Sequence, residues 1–212
     1  MARHKQSERR RIQEETRQQL LAAATAEFAR EGYVGANVNR ISRAAGFAKG
    51  TIYNYFPSKE ALMNALIDDI AGTHVAFVVE RVLHADGPAS RLQRFFEAGF
   101  AFVSAHLAQA LVMINILYGP HTAFKNHMYQ AYQPLFQLLD REILAPGMAA
   151  GVFRQMDCAS MAALLMSVYL GTSSTVGEEG RIWLDPAQVA DFALRALRRE
   201  AGPATPAQEV FS

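Results

Sequence analysis

A short run of polar side chains carries the most suggestive chemistry in this sequence. Lys49, Thr51, Tyr53 and Asn54 supply an ammonium group, two hydroxyl groups and an amide between residues 49 and 54. Groups of this kind bind phosphate oxygens and the edges of bases. Gly50 has no side chain and would let the backbone approach a ligand closely. The pattern indicates nucleic-acid binding, although an ordinary helical hairpin with solvated polar residues would show the same composition.

The residues around this run predict two short helices joined by a turn, over about residues 37–56. Asn37 is a good N-cap, and the helix that follows has an inner face of Val38, Ile41, Ala44 and Ala45. Gly46 makes the turn, and a second helix runs from about residue 49 to residue 55 with Ile52 toward the core. This is helix-turn-helix geometry, in which the second helix enters the major groove of DNA.

Longer helices flank the motif. Leu20, Ala24 and Phe28 recur at four-residue intervals in a first helix that Gly32 should stop. Ser58 can cap a helix over residues 58–83. Lys59 lies in its first turn, where backbone N–H groups and the helix dipole favour a phosphate.

The rest of the sequence predicts helices and no strand. Apolar residues recur with helical spacing over residues 91–106, over residues 122–144 and behind Asp157. Glycine and proline mark the boundaries: a break at Gly119-Pro120, a kink at Pro134, an end before Pro146-Gly147 and a start at Asp185-Pro186. We expect an all-α protein of about nine helices.

Composition indicates a soluble intracellular protein. Half of the 212 residues are apolar, which is too many for a disordered chain. The apolar stretch at residues 107–117 is interrupted by Gln109 and Asn115 and is too short to span a membrane. The charged N-terminus has no apolar segment behind it, as a secretory signal requires. Cys158 is the single cysteine and excludes an internal disulfide, so we expect a cytoplasmic protein without membrane association.

Charge is distributed unevenly although the net charge is only +1. Residues 1–60 contain 11 Lys or Arg and 6 Asp or Glu, whereas the remaining residues contain 10 and 14. Such asymmetry suggests a basic module that meets a polyanion, joined to a larger part with another task. Chance clustering on solvated helix faces is the alternative.

Patterns typical of enzymes and metal sites are missing from the sequence. The carboxylates of Asp68-Asp69 and of Glu178-Glu179 are adjacent and therefore point in different directions. His121 and His127 are six residues apart and do not share a helical face. Cys158 falls in the first turn of a helix, where a thiolate is favoured, so either a redox switch or an inert thiol is compatible. We expect no catalytic residue, no cofactor and no metal.

The motif resembles the DNA-binding domain of TetR-type transcriptional regulators. The residues that carry the resemblance are Gly32-Tyr33, Val38, Ile41, Ala45-Gly46-Phe47, the run Lys-Gly-Thr-Ile-Tyr-Asn-Tyr-Phe at 49–56, and Ser58-Lys59-Glu60-Ala61-Leu62. The match covers about residues 14–74. Two positions depart from the family pattern: Asn37 stands where a threonine often opens the second helix, and Ala48 where a serine commonly precedes the lysine.

The resemblance implies a division of the chain. It gives a basic N-terminal arm at residues 1–13, a three-helix DNA-binding domain at 14–74, a helical effector-binding and dimerisation domain at 75–200, and a flexible tail at 201–212. The arm carries Arg3, Lys5 and Arg9-Arg10-Arg11, which would either follow the minor groove or remain solvated.

The resemblance also implies roles for individual residues. Tyr53 and Lys59 would clamp the DNA backbone, while Lys49, Thr51 and Asn54 would lie nearer base edges. Tyr55 is either a phosphate contact or a core residue. The full set of expected DNA-binding residues is Asn37, Arg40, Arg43, Lys49, Gly50, Thr51, Tyr53, Asn54, Tyr55 and Lys59.

An effector site is expected in the second domain. Its aromatic and methionine side chains suit an apolar cavity, although each of them would equally fill an ordinary core. The expected ligand-binding residues are Phe96, Phe100, Met113, Tyr118, Phe124, Met128, Tyr132 and Tyr169. Because charges are few between residues 95 and 139, we expect an apolar or aromatic effector.

The last two helices are expected to form a dimer interface. Small residues recur along the first of them: Ala159, Ala162, Ala163, Ser167, Gly171 and Ser173. They permit close helix packing, and the family dimerises through its last two helices. The sequence thus predicts a homodimeric repressor released from a palindromic DNA operator by a small effector. The alternatives are a helical small-molecule-binding protein with a vestigial helix-turn-helix, and a regulator that activates or needs a corepressor.

Overall fold

The computed structural model describes residues 2–175 and 182–198, with side chains from residue 6, and these residues form helices and no strand. Ten α-helices follow one another: α1 Ala2–Gly35, α2 Val38–Ala44, α3 Lys59–Leu83, α4 Gly87–Ala105, α5 Leu107–Tyr118, α6 Thr122–Ala131, α7 Gln133–Gln137, α8 Ala145–Ala149, α9 Cys158–Ser173 and α10 Pro186–Leu197. A 3₁₀ turn at Thr51–Asn54 and a π-helical segment at Leu138–Leu144 complete them. The all-α prediction is confirmed. The expected tail at residues 201–212 lies outside the described residues, as does Glu178-Glu179.

The first helix begins far earlier than the sequence pattern indicated. No proline or glycine interrupts residues 2–31, and Arg11 pairs with Glu8 at 2.8 Å and with Glu15 at 3.7 Å along the helix. The expected arm at residues 1–13 is therefore helical where it is described. Gly32 disrupts the helix as expected, since its φ of +62° lies in the left-handed region.

The helix-turn-helix is present, but its second helix is shorter than expected. Asn37 caps α2 by accepting a hydrogen bond from the Asn39 N–H. Gly50 has a φ of +95°, which is incompatible with an α-helix. The predicted helix over residues 49–55 is consequently one 3₁₀ turn of four residues. Ile52 is fully buried in that turn and fixes it on the core of the N-terminal part.

Helix α3 belongs to two hydrophobic cores. Ser58 caps it by accepting a hydrogen bond from the Ala61 N–H at 3.0 Å. Leu66 and Ile70 pack in the core of the N-terminal part, whereas Val78 and Val82 pack in the core of the C-terminal part. By length and composition alone α3 is apolar enough to cross a membrane, and a buried core helix has the same character.

Proline positions divide the C-terminal part in an unexpected way. The helix expected over residues 122–144 is interrupted at Tyr132, so that Pro134 falls in the first turn of α7, where proline is tolerated. The helix was expected to end before Pro146, but Pro146 lies in the first turn of α8 instead. The π-helical segment at Leu138–Leu144 directly precedes α8 and shifts the hydrogen-bond register there: the Ala145 N–H donates to the Asp140 carbonyl.

Two aspartates begin the last helices as expected. Asp157 accepts a hydrogen bond from the Ser160 N–H at 2.8 Å, and Asp185 accepts one from the Ala187 N–H at 2.9 Å. Helix α10 packs against α4, and α9 lies against both α4 and the π-helical segment. The C-terminal core is thus built mainly around α4.

A glycine contact in α8 provides a test of this packing. A Cβ at Gly147 would overlap the buried ring of Phe153, so Gly147→Ala should lower the free energy of unfolding by about 1–3 kcal/mol. In the matched control Gly72→Ala, an exposed position in α3 where an added Cβ meets nothing within 4 Å, stability should rise by about 0.5–1 kcal/mol. Urea unfolding measures both; equal stabilities would contradict the packing.

Candidate nucleic-acid interface and effector cavity

The polar run at the second helix presents its side chains outward. Lys49, Tyr53 and Asn54 are exposed, and Tyr53 retains 51% of its surface. Buried Ile52 and Phe56 hold the turn from beneath. The arrangement places an ammonium, a phenol and an amide on one exposed turn, which suits contact with a polyanion.

The remaining residues of the turn are only partly exposed. Gly50, Thr51 and Tyr55 have intermediate exposure, and Tyr55 packs against the core of the N-terminal part. Of the two roles left open for Tyr55, the core contact is therefore present in the structure. Its phenol keeps some accessible surface beside the exposed side chains.

The expected DNA contacts on α2 are tied to a buried carboxylate. Glu27, only 5% exposed, accepts hydrogen bonds from the Asn37 N–H at 2.8 Å and from the Arg40 Nε at 2.8 Å. Arg30 also donates to Glu27 at 2.8 Å. Arg43 is exposed on the same helix. Arg40 and Asn37 therefore fix α2 against α1 before any DNA is considered.

Electrostatics favour the ionised form of Glu27. Burial raises the pKa of this carboxyl. The hydrogen bonds from Asn37 and Arg40 and the charges of Arg40 and Arg30 lower the pKa by a larger amount in total, so that it lies below its usual value. Sequence reasoning missed Glu27, because a glutamate within a helix usually faces solvent. The available signal was its spacing, since Glu27 lies seven residues after Leu20 and three after Ala24, on the apolar face of the helix.

Lys59 is engaged within the protein. Its Nζ donates to the Ala36 carbonyl at 2.7 Å and to the Val34 carbonyl at 3.1 Å, and lies 4.9 Å from the centre of the Tyr33 ring. Burial lowers the pKa of Lys59, an effect that the charge of Glu27 opposes. An ammonium group has three donors. One donor thus remains for a phosphate beyond the two that bind carbonyls.

A largely apolar cavity lies in the C-terminal part. It holds about 700 Å³ of empty space, including the portion open to solvent. Helices α3 to α7 and α9 contribute its wall, which is lined by Ile70, His74, Phe102, Val103, Ala110, Met113, Ile114, Leu117, Met128, Tyr129, Tyr132, Phe136, Met166, Tyr169, Leu170 and Ser173. Met113, Met128, Tyr132 and Tyr169 of the expected ligand-binding set lie in this wall.

The other four expected ligand-binding residues lie elsewhere, which corrects their predicted position. Phe96 and Phe100 are buried in the core of the C-terminal part. Phe124 packs edge-on against Tyr33 at the junction with α1. Tyr118 is 64% exposed, and its hydroxyl lies 3.3 Å from Ser174 Oγ. Helical spacing alone does not distinguish a core face from a cavity face, since both are apolar.

A buried histidine, which the sequence analysis missed, organises one wall of the cavity. His74 Nδ1 lies 3.1 Å from the Tyr132 hydroxyl, and its Nε2 lies 3.0 Å from the Tyr169 hydroxyl. The imidazole stacks on Phe102 with ring centres 4.2 Å apart. Burial, assisted by His106, lowers the pKa of His74 to about 3, so the ring is neutral at physiological pH. The available signal was a histidine in an apolar stripe, four residues from both Ile70 and Val78.

Other titratable side chains of the described residues take part in ion pairs, ring contacts and helix ends. Within residues 2–175 and 182–198, no group of three or more His, Cys, Asp or Glu side chains could hold a metal ion. His127 pairs with Asp68 at 2.8 Å, while His121 packs edge-on against Tyr33. Burial and the neighbouring Asp140 raise the pKa of Cys158, which opposes the thiolate expected at a helix N-terminus.

Exposed apolar side chains remain on the last two helices. Leu164 on α9 is 55% exposed, and Phe192 on α10 is 65% exposed. Trp183, just before α10, is 80% exposed. Each of the last two helices therefore carries an exposed large apolar side chain.

Comparison with known proteins identifies the N-terminal part. Residues 20–66 match the family described as "Bacterial regulatory proteins, tetR family". The HTH-type transcriptional repressor NicS of Pseudomonas putida is 26% identical over 200 residues, which cover 87% of this chain and 93% of NicS. The repressor KstR2 of Mycobacterium tuberculosis is 32% identical over 96 residues, and the match covers 45% of this chain and 48% of KstR2.

Solved structures share the fold over most of the chain. FadR from Bacillus subtilis, solved in complex with stearoyl-CoA, superposes with a TM-score of 0.74 at 21% identity, covering 85% of this chain and 97% of FadR. FadR from Bacillus halodurans gives the same TM-score at 24% identity and covers 85% of this chain and 93% of that one. The helix-turn-helix and the helical second part therefore form one known architecture.

Removing the charge of Glu27 should loosen the helix-turn-helix. We expect Glu27→Gln to lower the free energy of unfolding by about 1–3 kcal/mol, because an amide cannot pair with Arg40 and Arg30. Glu31→Gln, on the same helix and 3.6 Å from Arg40, should cost less than about 1 kcal/mol.

The effect of Glu27→Gln should depend on pH with a defined sign. Because the folded pKa of Glu27 is lowered, its contribution is complete above the unfolded value of about 4.3 and is lost as the pH falls through the folded value. The stability difference between wild type and Glu27→Gln should therefore shrink in acid. A difference that grows in acid would contradict the assignment.

Proposed function

Because the chain belongs to the tetR family of bacterial regulatory proteins, we propose that it is a homodimeric repressor released from a palindromic operator by a small apolar or aromatic effector. The relatives are transcriptional repressors and not enzymes. The observation that carries the proposal is the exposed turn of Lys49, Tyr53 and Asn54, held by buried Ile52 above the N-terminal core.

The exposed turn supplies the DNA contacts in this proposal. Lys49, Thr51 and Asn54 face base edges, and Tyr53 contacts the phosphate backbone. Arg43, exposed on α2, reaches phosphates on one side, and Lys59 offers its one remaining donor on the other. The other expected residues position this DNA-binding surface. Tyr55 packs against the core, Gly50 precedes the 3₁₀ turn, and Arg40 and Asn37 bind Glu27.

The cavity is the proposed effector site. Its wall is mostly apolar, and FadR of Bacillus subtilis, which shares the fold, was solved with stearoyl-CoA. Helix α3 carries Lys59 at one end and His74 in the cavity wall, so an effector that moves His74 changes the placement of the helix-turn-helix. Linkage then requires operator and effector to weaken each other by the same factor, typically about 5–150-fold.

Dimerisation is proposed through α9 and α10. Their exposed Leu164 and Phe192 give an apolar face suited to a four-helix seam with a second copy. A two-fold dimer places two recognition turns on successive major grooves of a near-palindromic site. A cytoplasmic location follows from this DNA-binding role.

Selection from random duplex DNA tests the central proposal. The purified protein should enrich a two-fold symmetric motif at moderate salt. Enrichment of no sequence, with or without an apolar additive, would favour a helical ligand-binding protein with a vestigial helix-turn-helix. Loss of DNA binding on adding an effector supports release by that effector, whereas gain of DNA binding means that the effector promotes operator binding.

A single lysine should change the salt dependence of operator binding. Lys49→Ala should weaken binding and lower the slope of log affinity against log salt by about 1 if its ammonium neutralises one phosphate, and by less if it reads a base. Arg141→Ala removes one exposed positive charge from the C-terminal part and serves as the control. If both variants bind like wild type, the exposed turn is not the DNA surface.

The dimer seam should be sensitive to charge. Phe192→Asp should raise the dimer dissociation constant by about a hundredfold or more, because a carboxylate would be buried in an apolar interface. Leu83→Asp places the same charge at an exposed apolar position on α3 and should leave the dimer unchanged. Analytical ultracentrifugation measures both; an unaffected Phe192→Asp dimer would exclude α10 from the seam.

A further inference from the structure

The polar side chains of the cavity wall are concentrated in one place. Apart from Tyr129, which is 43% exposed, they are His74, Tyr132, Tyr169 and Ser173. His74 connects the two phenols through its two ring nitrogens, whereas the Ser173 hydroxyl donates to the Leu170 carbonyl at 3.4 Å. We call His74, Tyr132 and Tyr169 the relay.

The number of hydrogen atoms in the relay determines which of its groups can form a further hydrogen bond. Neutral His74 carries one N–H, so one tyrosine donates to the ring and the other accepts from it. If Tyr169 donates to Nε2, the Nδ1–H donates to Tyr132, whose own hydroxyl hydrogen is then free. If Tyr132 donates to Nδ1 instead, the Nε2–H donates to Tyr169, and the lone pairs of Tyr132 remain free.

Both arrangements leave unused capacity at the same hydroxyl. Tyr169 is almost fully buried, with 2% of its surface exposed, whereas Tyr132 is partly exposed. In the described part of the chain, the hydroxyl of Tyr132 makes no hydrogen bond other than that to His74. Tyr132 lines the cavity, and either arrangement leaves its hydroxyl able to donate or to accept one further hydrogen bond.

The cavity offers no charge to a ligand. Neither Lys nor Arg lines it, and burial keeps His74 neutral. Burial also raises the pKa values of Tyr132 and Tyr169 above the usual range, so both phenols stay protonated. A carboxylate entering this wall would lose its hydration without gaining a counter-charge.

Packing fixes the relay in place before a ligand arrives. Phe102 stacks on the imidazole of His74. Gly99 on α4 leaves room for the Tyr169 ring, because a Cβ there would lie 2.5 Å from its Cε2. The relay also joins α3 to α9 and to the α6–α7 corner.

We infer that the cavity selects a neutral, largely apolar molecule with a single hydrogen-bonding group, such as a ketone, an ester or an alcohol, and that the Tyr132 hydroxyl binds that group. The inference rests on the proposed function, since it specifies the class of effector. Tyr132 is its specificity-determining residue.

Titration calorimetry with three eight-carbon probes at neutral pH tests the inference on the wild-type chain. Methyl hexyl ketone and octanol should bind at least about tenfold more tightly than octanoate, because only octanoate carries a charge into the wall. Octanoate binding as tightly as the ketone would overturn the inference and leave the cavity as the effector site. Failure of all three probes to bind would overturn both.

Two matched variants locate the polar contact. Tyr132→Phe should weaken ketone binding about threefold to tenfold, the loss expected for one neutral hydrogen bond. Tyr129→Phe removes a phenol from the same cavity but outside the relay and should have no effect. Equal ketone affinity in both variants would overturn the role of Tyr132. Operator binding of each preparation, measured in parallel, shows that it is folded and tests the DNA-binding proposal separately.

Discussion

The burial of α3 at both ends holds the two parts of this protein in one relation. Leu66 and Ile70 near its start lie in the N-terminal core, and Val78 and Val82 near its end lie in the C-terminal core. A helix of 25 residues transmits displacement along its axis because its backbone hydrogen bonds are continuous. Its start, capped by Ser58, faces the helix-turn-helix, and its middle forms part of the cavity wall through His74.

Two buried polar groups illustrate opposite solutions to the cost of desolvation. Glu27 remains ionised because the Asn37 N–H and two guanidinium groups surround it. His74 remains neutral, since its neighbours are two phenols and an aromatic ring. The first solution fixes a surface intended for a polyanion. The second solution keeps the cavity wall free of charge. The proposed DNA-binding surface and the proposed effector cavity therefore differ in whether they present charged groups.

Aromatic residues in the C-terminal part serve two purposes that only position separates. Phe96 and Phe100 lie in the C-terminal core, where Phe100 contacts Tyr169, whereas Phe102 lies on the same helix, lines the cavity and stacks on His74. Gly99 lies on the same helix and leaves room for the ring of Tyr169, because it has no side chain. The shape of the cavity thus depends on how α4 packs against α9, where a small residue on one helix faces a large side chain on the other.

The helical class, the helix-turn-helix and the starts of α2, α3, α9 and α10 could be predicted from local sequence. These depend on local chemistry: apolar spacing, the caps Asn37, Ser58, Asp157 and Asp185, and the break at Gly32. The exposed turn of Lys49, Tyr53 and Asn54 could also be predicted, because apolar Ile52 in the same turn faces the core and leaves the polar side chains outside.

Contacts between distant helices were not predictable from local rules. Some departures from the expected helices are nevertheless local: residues 2–31 contain no proline or glycine, and the positive φ of Gly50 excludes an α-helix before Thr51–Asn54. The position of His74 and the cavity wall depend on helices that are distant in sequence, such as α3 and α9, which the relay joins across 95 positions. Glu27 depends on the packing of α1 against α2, which spacing within one helix does not specify. Periodicity shows that a face is buried, but only packing decides whether that face meets a partner or an empty space.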